Sequence, residues 1–118
     1  MTRGDVFQVR LDPTEGREIR KTRPAVVVSN RSACRFDSVL QIVPITRLPE
    51  RGLRPYECAV GSGSSGLSKP SRAVANQIRT VARHRLGHHV GRLTSDELRN
   101  LDRAVAIQLG LWTTVSSP

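Results

Sequence analysis

The sequence predicts a mainly β protein: a small, strongly curved antiparallel sheet or partly open barrel, followed by one C-terminal helix. Three observations predict it. Short apolar segments recur with loops at intervals of roughly 8 to 12 residues, the spacing of a small all-β fold. One of them, PAVVVSN at residues 24–30, is a continuous β-branched run, as expected of a central strand buried on both faces. Helical periodicity occurs strongly only once, near the end of the chain.

Each element follows in order. DVFQVRL, residues 5–11, alternates so that Phe7, Val9 and Leu11 share one face of a first strand. The polar stretch 12–22, opened by Asp12-Pro13 and containing Gly16, reads as a mobile loop, and PAVVVSN as the second strand. RSACRFD, residues 31–37, reads as a connection, and SVLQIVPIT, residues 38–46, as a third strand in which Pro44 suggests an edge or a bulge. After the cationic loop RLPERGLRP comes a short strand, YECAV. GSGSSGLSKP, residues 61–70, has the composition of a flexible, exposed linker. SRAVANQIRTV reads as one strand, and RHRLGHHVGRL as a turn and a short strand. Thr94 to Glu97 then has the spacing of a capping box, with Asp96 and Glu97 at the positive end of a helix dipole. Leu98, Leu101, Val105 and Leu109 repeat at helical spacing, and Gly110 supplies the stop.

A chain of 118 residues holds one domain with a modest core, and 113–118 reads as a loose tail. Only 37% of residues are hydrophobic and 3% aromatic, so burial is expected to be completed by a partner or a second copy. The net charge of +9 favours polyanions, nucleic acid first. Of the 19 cations 17 are arginine, whose planar fork matches phosphate in a way that lysine's point charge does not. Cys34 and Cys58 form neither a disulfide framework nor a zinc motif, and no metal or cofactor is expected. MTRGDVFQVR lacks the apolar core of a signal peptide and no segment suffices to cross a bilayer, which makes the cytoplasm the expected compartment.

The chemistry concentrates at Arg23. Pro24 holds the residue before it extended, which fixes Arg23 at the root of a rigid strand. A fixed charge of this kind costs no reorganisation during a reaction. If strands 24–30 and 38–45 are antiparallel neighbours, Arg23 and Thr46 fall at the same end of the sheet. A hydroxyl beside a guanidinium, framed by Arg17, Arg20, Lys21, Arg47, Arg51 and Arg54, describes a phosphodiester pocket. The plainer alternatives are an ion pair of Arg23 with Glu18 and an ordinary β-branched strand end at Thr46.

RGDVFQVRLDPTEG, TRPAVVVSN, VPIT, NQIRTV and LGHHVGRL, followed by a terminal helix ending LGL, occur in an order that resembles the MazF/PemK family of toxin endoribonucleases over residues 3–111. The resemblance implies an SH3-like barrel, a homodimer, metal-independent cleavage of single-stranded RNA, and a cognate antitoxin that lays an acidic, otherwise disordered tail across the RNA groove. It also implies Arg23 and Thr46 as catalytic residues, Glu18 as the acid of the first loop, and Gln77 as a residue of the groove. Arg17, Arg20, Lys21 and Arg47 are the expected RNA-binding cations around them. Two departures stand out: the first loop, Gly16-Arg17-Glu18-Ile19-Arg20-Lys21-Thr22, is more basic than the family's, and Asn76 stands where an acid is usual.

Metal-free cleavage of RNA uses the substrate's own 2′-OH against the adjacent phosphorus, leaving a 2′,3′-cyclic phosphate and a 5′-OH. A guanidinium keeps its proton to roughly pH 12, so Arg23 suits charge stabilisation and, secondarily, proton donation to the leaving oxygen. The base stays open between Glu18 and water. His88 and His89 are strand neighbours that face opposite sides, and His84 has Gly87 between it and His88, so neither pairing suggests catalysis. GSGSSGLSKP has Leu67 where a phosphate-loop lysine would stand. Trp112 reads as a packing or dimer residue. Two other functions fit the same composition: a toxin of this barrel type acting on DNA gyrase by protein contact, and a non-catalytic RNA-binding barrel.

Overall fold

The computed structural model describes residues 1–111; the expectations for Trp112 and for the tail 113–118 lie outside the described residues. Seven strands form one antiparallel sheet: β1 (Asp5–Arg10), β2 (Thr22–Val27), β3 (Val39–Arg47), β4 (Glu57–Val60), β5 (Ser71–Val74), β6 (Arg79–Ala82) and β7 (Leu86–Arg92). The order is β4-β5-β3-β2-β1-β7, with β6 also on β3, so the sheet curls without closing. Helix α1 (Arg31–Phe36) joins β2 to β3, and α2 (Ser95–Gln108) follows β7. This is the curved sheet with a C-terminal helix that the sequence predicts.

The valine run is buried on both faces, as its unbroken character requires. Val26 packs with Val6, Val43, Ile45, Leu93 and Leu101 of α2. Ala25 and Val27 pack on the other side with Val9, Leu11, Ile42 and Val81, and with Phe7 and Ile19 at the margin. Each fully buried aliphatic side chain of this kind contributes roughly 1.5–3 kcal/mol.

β3 organises the rest. On one side it pairs with β2, Ala25 opposite Pro44. On the other it pairs first with β6, over Val39 to Ile42, and then with β5, over Ile45 to Arg47. The Gln41 carbonyl accepts from Val28 N–H, so by alternation the nitrogen of Pro44 faces the opposite side. There it falls in the gap between the two partners, where no donor is needed. Pro44 therefore sits inside a central strand and marks a change of neighbour rather than an edge or a bulge.

The same gap breaks the expected strand at 71–81. Ile45 pairs with Ala73 and Ile42 with Arg79, so three steps along β3 correspond to six along its partner. A 3-10 turn, Ala75–Gln77, takes up the excess and lifts Asn76 and Gln77 out of the ladder.

Residues 31–36, expected as plain connection, form α1. The Asn30 side chain accepts from Ala33 N–H at 2.9 Å, capping the N-terminus. Arg83 caps the other end, donating Nη2 to the carbonyls of Ala33 and Cys34 at 3.1 and 2.9 Å and Nε to that of Asp37 at 2.8 Å. Six residues are too few to show helical periodicity.

Residues 61–70 are also not a free linker. Ser65 is 1% exposed and donates to the Gly61 carbonyl at 2.5 Å. Gly66, at φ +77°, lies so close to β7 that a Cβ there would stand 2.0 Å from the Val90 carbonyl oxygen. Gly91 offers the reciprocal gap, and Arg92 N–H donates to the Ser64 carbonyl at 2.8 Å.

α2 carries the expected capping box, with Thr94 and Glu97 exchanging side-chain-to-backbone bonds at 3.1 and 2.9 Å. Leu101 and Ala104 are its buried residues, while Leu98 and Val105 cover the core edge. Leu109 departs from the predicted stripe and is 54% exposed. Gly110, at φ +75°, terminates the helix, and the bonds Gly110 N–H to Ile107 and Leu111 N–H to Ala106 close a Schellman turn.

Candidate active site

Arg23 and Thr46 are 23 residues apart in sequence and meet through the β2–β3 ladder. Continuing the register of Ala25 opposite Pro44 by two positions places Arg23 opposite Thr46. Thr46 is itself paired directly with Arg72 on β5. Directly opposed residues share a face, so Arg23, Thr46 and Arg72 form one row across three strands. The row continues the face that buries Ala25, Val27 and Ile42, at the point where the core ends and the strands emerge. That is why a charge can follow so closely on an apolar run: Arg23 is exposed, and its Nε donates to the Arg20 carbonyl at 3.2 Å.

Two clefts adjoin this row. A polar one of about 530 Å³ is lined by Arg23 and Thr46 with Arg17, Glu18, Arg20, Arg51, Arg72, Asn76 and Gln77. A smaller one of about 300 Å³ lies on the far side of the same two residues, and Arg47, Ser68 and Lys69 belong to it. Arg23 and Thr46 line both and so stand on the ridge between them. Of the residues singled out in the sequence, Lys21 lines neither cleft; its backbone sits at φ 68° and its carbonyl accepts from Leu11 N–H where the loop closes. Arg54 lines a different cleft, against α2.

The first loop is tied down rather than free. Gln77 Oε1 accepts from Ile19 N–H at 3.2 Å, and its Nε2 donates to the Arg17 carbonyl at 3.3 Å. Ile19 anchors the loop from below against the second core. Glu18 is exposed at the cleft and accepts Glu15 N–H at 2.9 Å.

Sequence reasoning missed the centre of the floor. Glu57, at the start of β4, has a side chain 1% exposed and holds two arginines. Arg51 meets it with both Nη atoms, at 2.9 and 3.0 Å, and Arg72 Nη1 donates to Oε2. Arg54 N–H adds a bond at 2.8 Å. The paired bonds from Arg51, outweighing the penalty of burial, hold the Glu57 carboxyl down to about 2, with Arg54 N–H and the Arg72 charge acting the same way. Glu57 was visible only as one acid in an otherwise apolar strand beside Arg51 and Arg54; nothing in sequence links it to Arg72, 15 residues on.

The histidines lie elsewhere. His89, on β7, has Nε2 3.4 Å from Asp5 Oδ1 and packs edge-on against Phe7. No helix among the described residues is long and apolar enough to cross a membrane.

Comparison with known proteins places the chain in a family. Endoribonuclease MazF9 of Mycobacterium tuberculosis is 38% identical over 118 aligned residues, covering 96% of this chain and 99% of the relative. Endoribonuclease MazF of Staphylococcus saprophyticus is 28% identical, over 96% and 94%. A mycobacterial endoribonuclease solved in complex with its cognate antitoxin superposes with a TM-score of 0.77 at 25% identity, covering 95% of this chain and 97% of that one. MazF from Deinococcus radiodurans, at 22% identity, shares the fold with a TM-score of 0.79 over 93% and 96%. The model of the PemK-like, MazF-like toxins of type II toxin–antitoxin systems matches residues 2–109, and the chain belongs to that family.

Proposed function

We propose that the chain is a toxin endoribonuclease that cuts single-stranded RNA, without a metal, at the row of Arg23 and Thr46. The observation that carries this reading is the convergence of those two groups, remote in sequence, on the ridge of one strongly cationic groove. The substrate's 2′-OH attacks the adjacent phosphorus while the bond to the 5′-oxygen breaks; the leaving oxygen takes a proton from Arg23, which water then replaces, giving a 2′,3′-cyclic phosphate and a 5′-OH. Arg23 donates to the equatorial phosphate oxygens as charge gathers there, and Thr46 adds a hydroxyl donor from the neighbouring strand.

The proton on the 2′-OH needs an acceptor. Of the two carboxylates lining the cleft, Glu57 is spent on Arg51 and Arg72 and stays ionised down to about pH 2, which makes it a poor base. Glu18 is the other, exposed on the loop, and we assign it the base role. Arg17, Arg20 and Arg47 hold phosphates on either side, and Lys21 adds charge at the loop end. Gln77 contributes chiefly by fixing the loop. The net charge of +9 suits an antitoxin with an acidic tail that occupies the same groove, and the thin core suits a homodimer. The cytoplasm, where RNA substrate is found, is the expected place of action.

The test is incubation of the purified protein with a mixed RNA pool in EDTA, followed by sequencing of the new 5′ ends. Cleavage is expected to survive EDTA and to fall about 10²–10³-fold in Arg23→Ala, the usual effect of losing one preorganised donor. Arg23→Lys keeps the charge but not the fork and is expected to lose most activity as well. A 2′-deoxy sugar at the cut site removes the nucleophile and is expected to abolish cutting. Intact RNA in the presence of folded protein would overturn the reading.

A further inference from the structure

We infer that Arg72 is a second phosphate-binding cation of the cleavage site, standing across Thr46 from Arg23 and held in aim by Glu57. The inference rests on the RNA-cleaving reading above and assigns a contact that Arg23 and Thr46 do not supply.

Three observations carry it. Thr46 and Arg72 are direct cross-strand partners, so Thr46 has an arginine on each neighbouring strand, Arg23 on β2 and Arg72 on β5, and all three line one cleft. Directly opposed residues stand about 5 Å apart at Cα, close enough for both to address one phosphate group.

Next, the donors of Arg72 are only partly used. Nε is bound to the Arg47 carbonyl at 3.1 Å and Nη1 to Glu57, while Nη2 has no hydrogen-bond partner among the described residues. Arg51, by contrast, directs both Nη atoms to Glu57 and Nη1 also to the Gly52 carbonyl.

Finally, Glu57 does not need Arg72 as a counter-ion. It already has the two-pronged Arg51 and a backbone N–H, and it lies 1% exposed beneath an Arg72 that is 19% exposed and lines the cleft. One buried negative charge with two arginines leaves the cluster cationic on its open side. Glu57 and the Arg47 carbonyl fix two of the three guanidinium nitrogens, and the third is left for the substrate. A pinned guanidinium offers phosphate a donor that requires no ordering at the moment of reaction.

The experiment uses the full chain and an RNA carrying a 2′-deoxy sugar at the mapped cut site, which binds without being cut. Its dissociation constant is measured against salt for the wild type, Arg72→Gln, Arg72→Lys and, as a control that lines neither cleft, Arg99→Gln. Loss of one phosphate contact on a single strand lowers the slope of log K against log salt by about 0.7. Arg72→Gln is expected to show that loss, Arg72→Lys to restore the slope, and Arg99→Gln to leave it alone. On cleavable RNA, Arg72→Gln is expected to lower kcat about 10²-fold, and Arg72→Lys to recover only part of it because the fork is gone.

An unchanged slope and near wild-type kcat in a folded Arg72→Gln would overturn the inference while leaving the cleavage reading intact. Failure of the wild type to cut any RNA would instead remove the cleavage reading. If Arg72→Gln does not fold, Arg72→Lys, which keeps the ion pair with Glu57, decides: full kcat in it assigns Arg72 to structure alone, and a reduced kcat with the wild-type slope supports the phosphate contact.

Discussion

Two loops on this molecule invert what their compositions suggest. Residues 61–70 are rich in Gly and Ser and read as a tether, yet they are packed backbone against backbone on β7, with Ser65 buried and Gly66 and Gly91 interlocked. Residues 12–21 carry the charges and keep them exposed; they are held by the amide of Gln77, the anchor of Ile19, the closing bond from Leu11 to Lys21, and the guanidiniums of Arg85 on the Asp12 carbonyl and Arg23 on the Arg20 carbonyl. One loop is fixed by the close approach of backbone at Gly66 and by the buried Ser65 hydroxyl, the other by a few longer side chains. The difference separates two ways of holding a segment beside the groove: one that must meet a variable polyanion keeps its guanidiniums in water, and one that must above all stay in place packs by its backbone.

The largest effect is expected where the backbone itself is the contact. In Gly66→Ala the added methyl would meet the Val90 carbonyl at 2.0 Å, and φ +77° already disfavours a side chain. Neither partner is a flexible side chain that can swing away. A loss of about 4 kcal/mol is expected, read as a fall in Tm of roughly 15 °C. A Tm within about 2 °C of wild type would show that the loop is mobile after all and that the comparison is wrong.

The cleft floor answers to acid instead. The Glu57 carboxyl lies at about 2 in the fold against an ordinary 4.5, so its charge favours the folded state fully above pH 4.5 and this contribution fades as pH falls from there to 2. The difference is worth on the order of 3 kcal/mol. Glu57→Gln is expected to be less stable than wild type at neutral pH and to converge on it as pH falls from 4.5 toward 2. Parallel stability curves for the two proteins over that range would mean that the ion pairs do not tune folding.

These two cases also mark what could be read in the sequence. The valine run, the capping box of α2 and the stop at Gly110 were legible because each is a local pattern with a local cause. The neighbourhood of Arg23 and Thr46 was legible once two strands were taken as an antiparallel pair, since register then fixes the rest. Helix α1 was not, although Asn30 carries a cap signal, because six residues cannot display a period. The break at Ala75–Gln77 has no glycine or proline to announce it; it arises from the change of neighbour on β3, a property of the assembled sheet. Glu57 and Arg72 belong to the same class. Their meeting depends on β4 and β5 pairing, and an isolated acid among apolar residues does not name its partners.

A smaller effect is expected where one side chain holds the exposed loop. Gln77→Ala removes the bonds to Ile19 N–H and the Arg17 carbonyl, both near the surface, so stability is expected to drop by less than about 1 kcal/mol. Activity is expected to fall further than stability, about 10-fold in kcat/KM, because Arg17, Glu18 and Arg20 lose their common frame. Faster hydrogen exchange at the Ile19 amide, with the amides of β2 unchanged, is the accompanying signature. Unaltered exchange at Ile19 would show that the loop is held by its apolar anchor alone.

The smallest effect completes the contrast with Gly66. Gly16 also has a positive φ, +58°, but nothing lies within 4 Å of where its Cβ would be. The cost of Gly16→Ala is therefore conformational only, about 1 kcal/mol for a side chain in the left-handed region, and Ala also narrows the unfolded ensemble, which offsets part of it. A Tm shift of under roughly 4 °C is expected, with cleavage retained because neither Gln77 nor Ile19 has to move. The same substitution, glycine to alanine at positive φ, is thus expected to be severe in the plain loop and mild in the charged one. If Gly16→Ala instead matched Gly66→Ala in Tm, the φ angle rather than the close approach of backbone would be setting the cost, and the distinction between a loop packed by its backbone and one held by its side chains would fall.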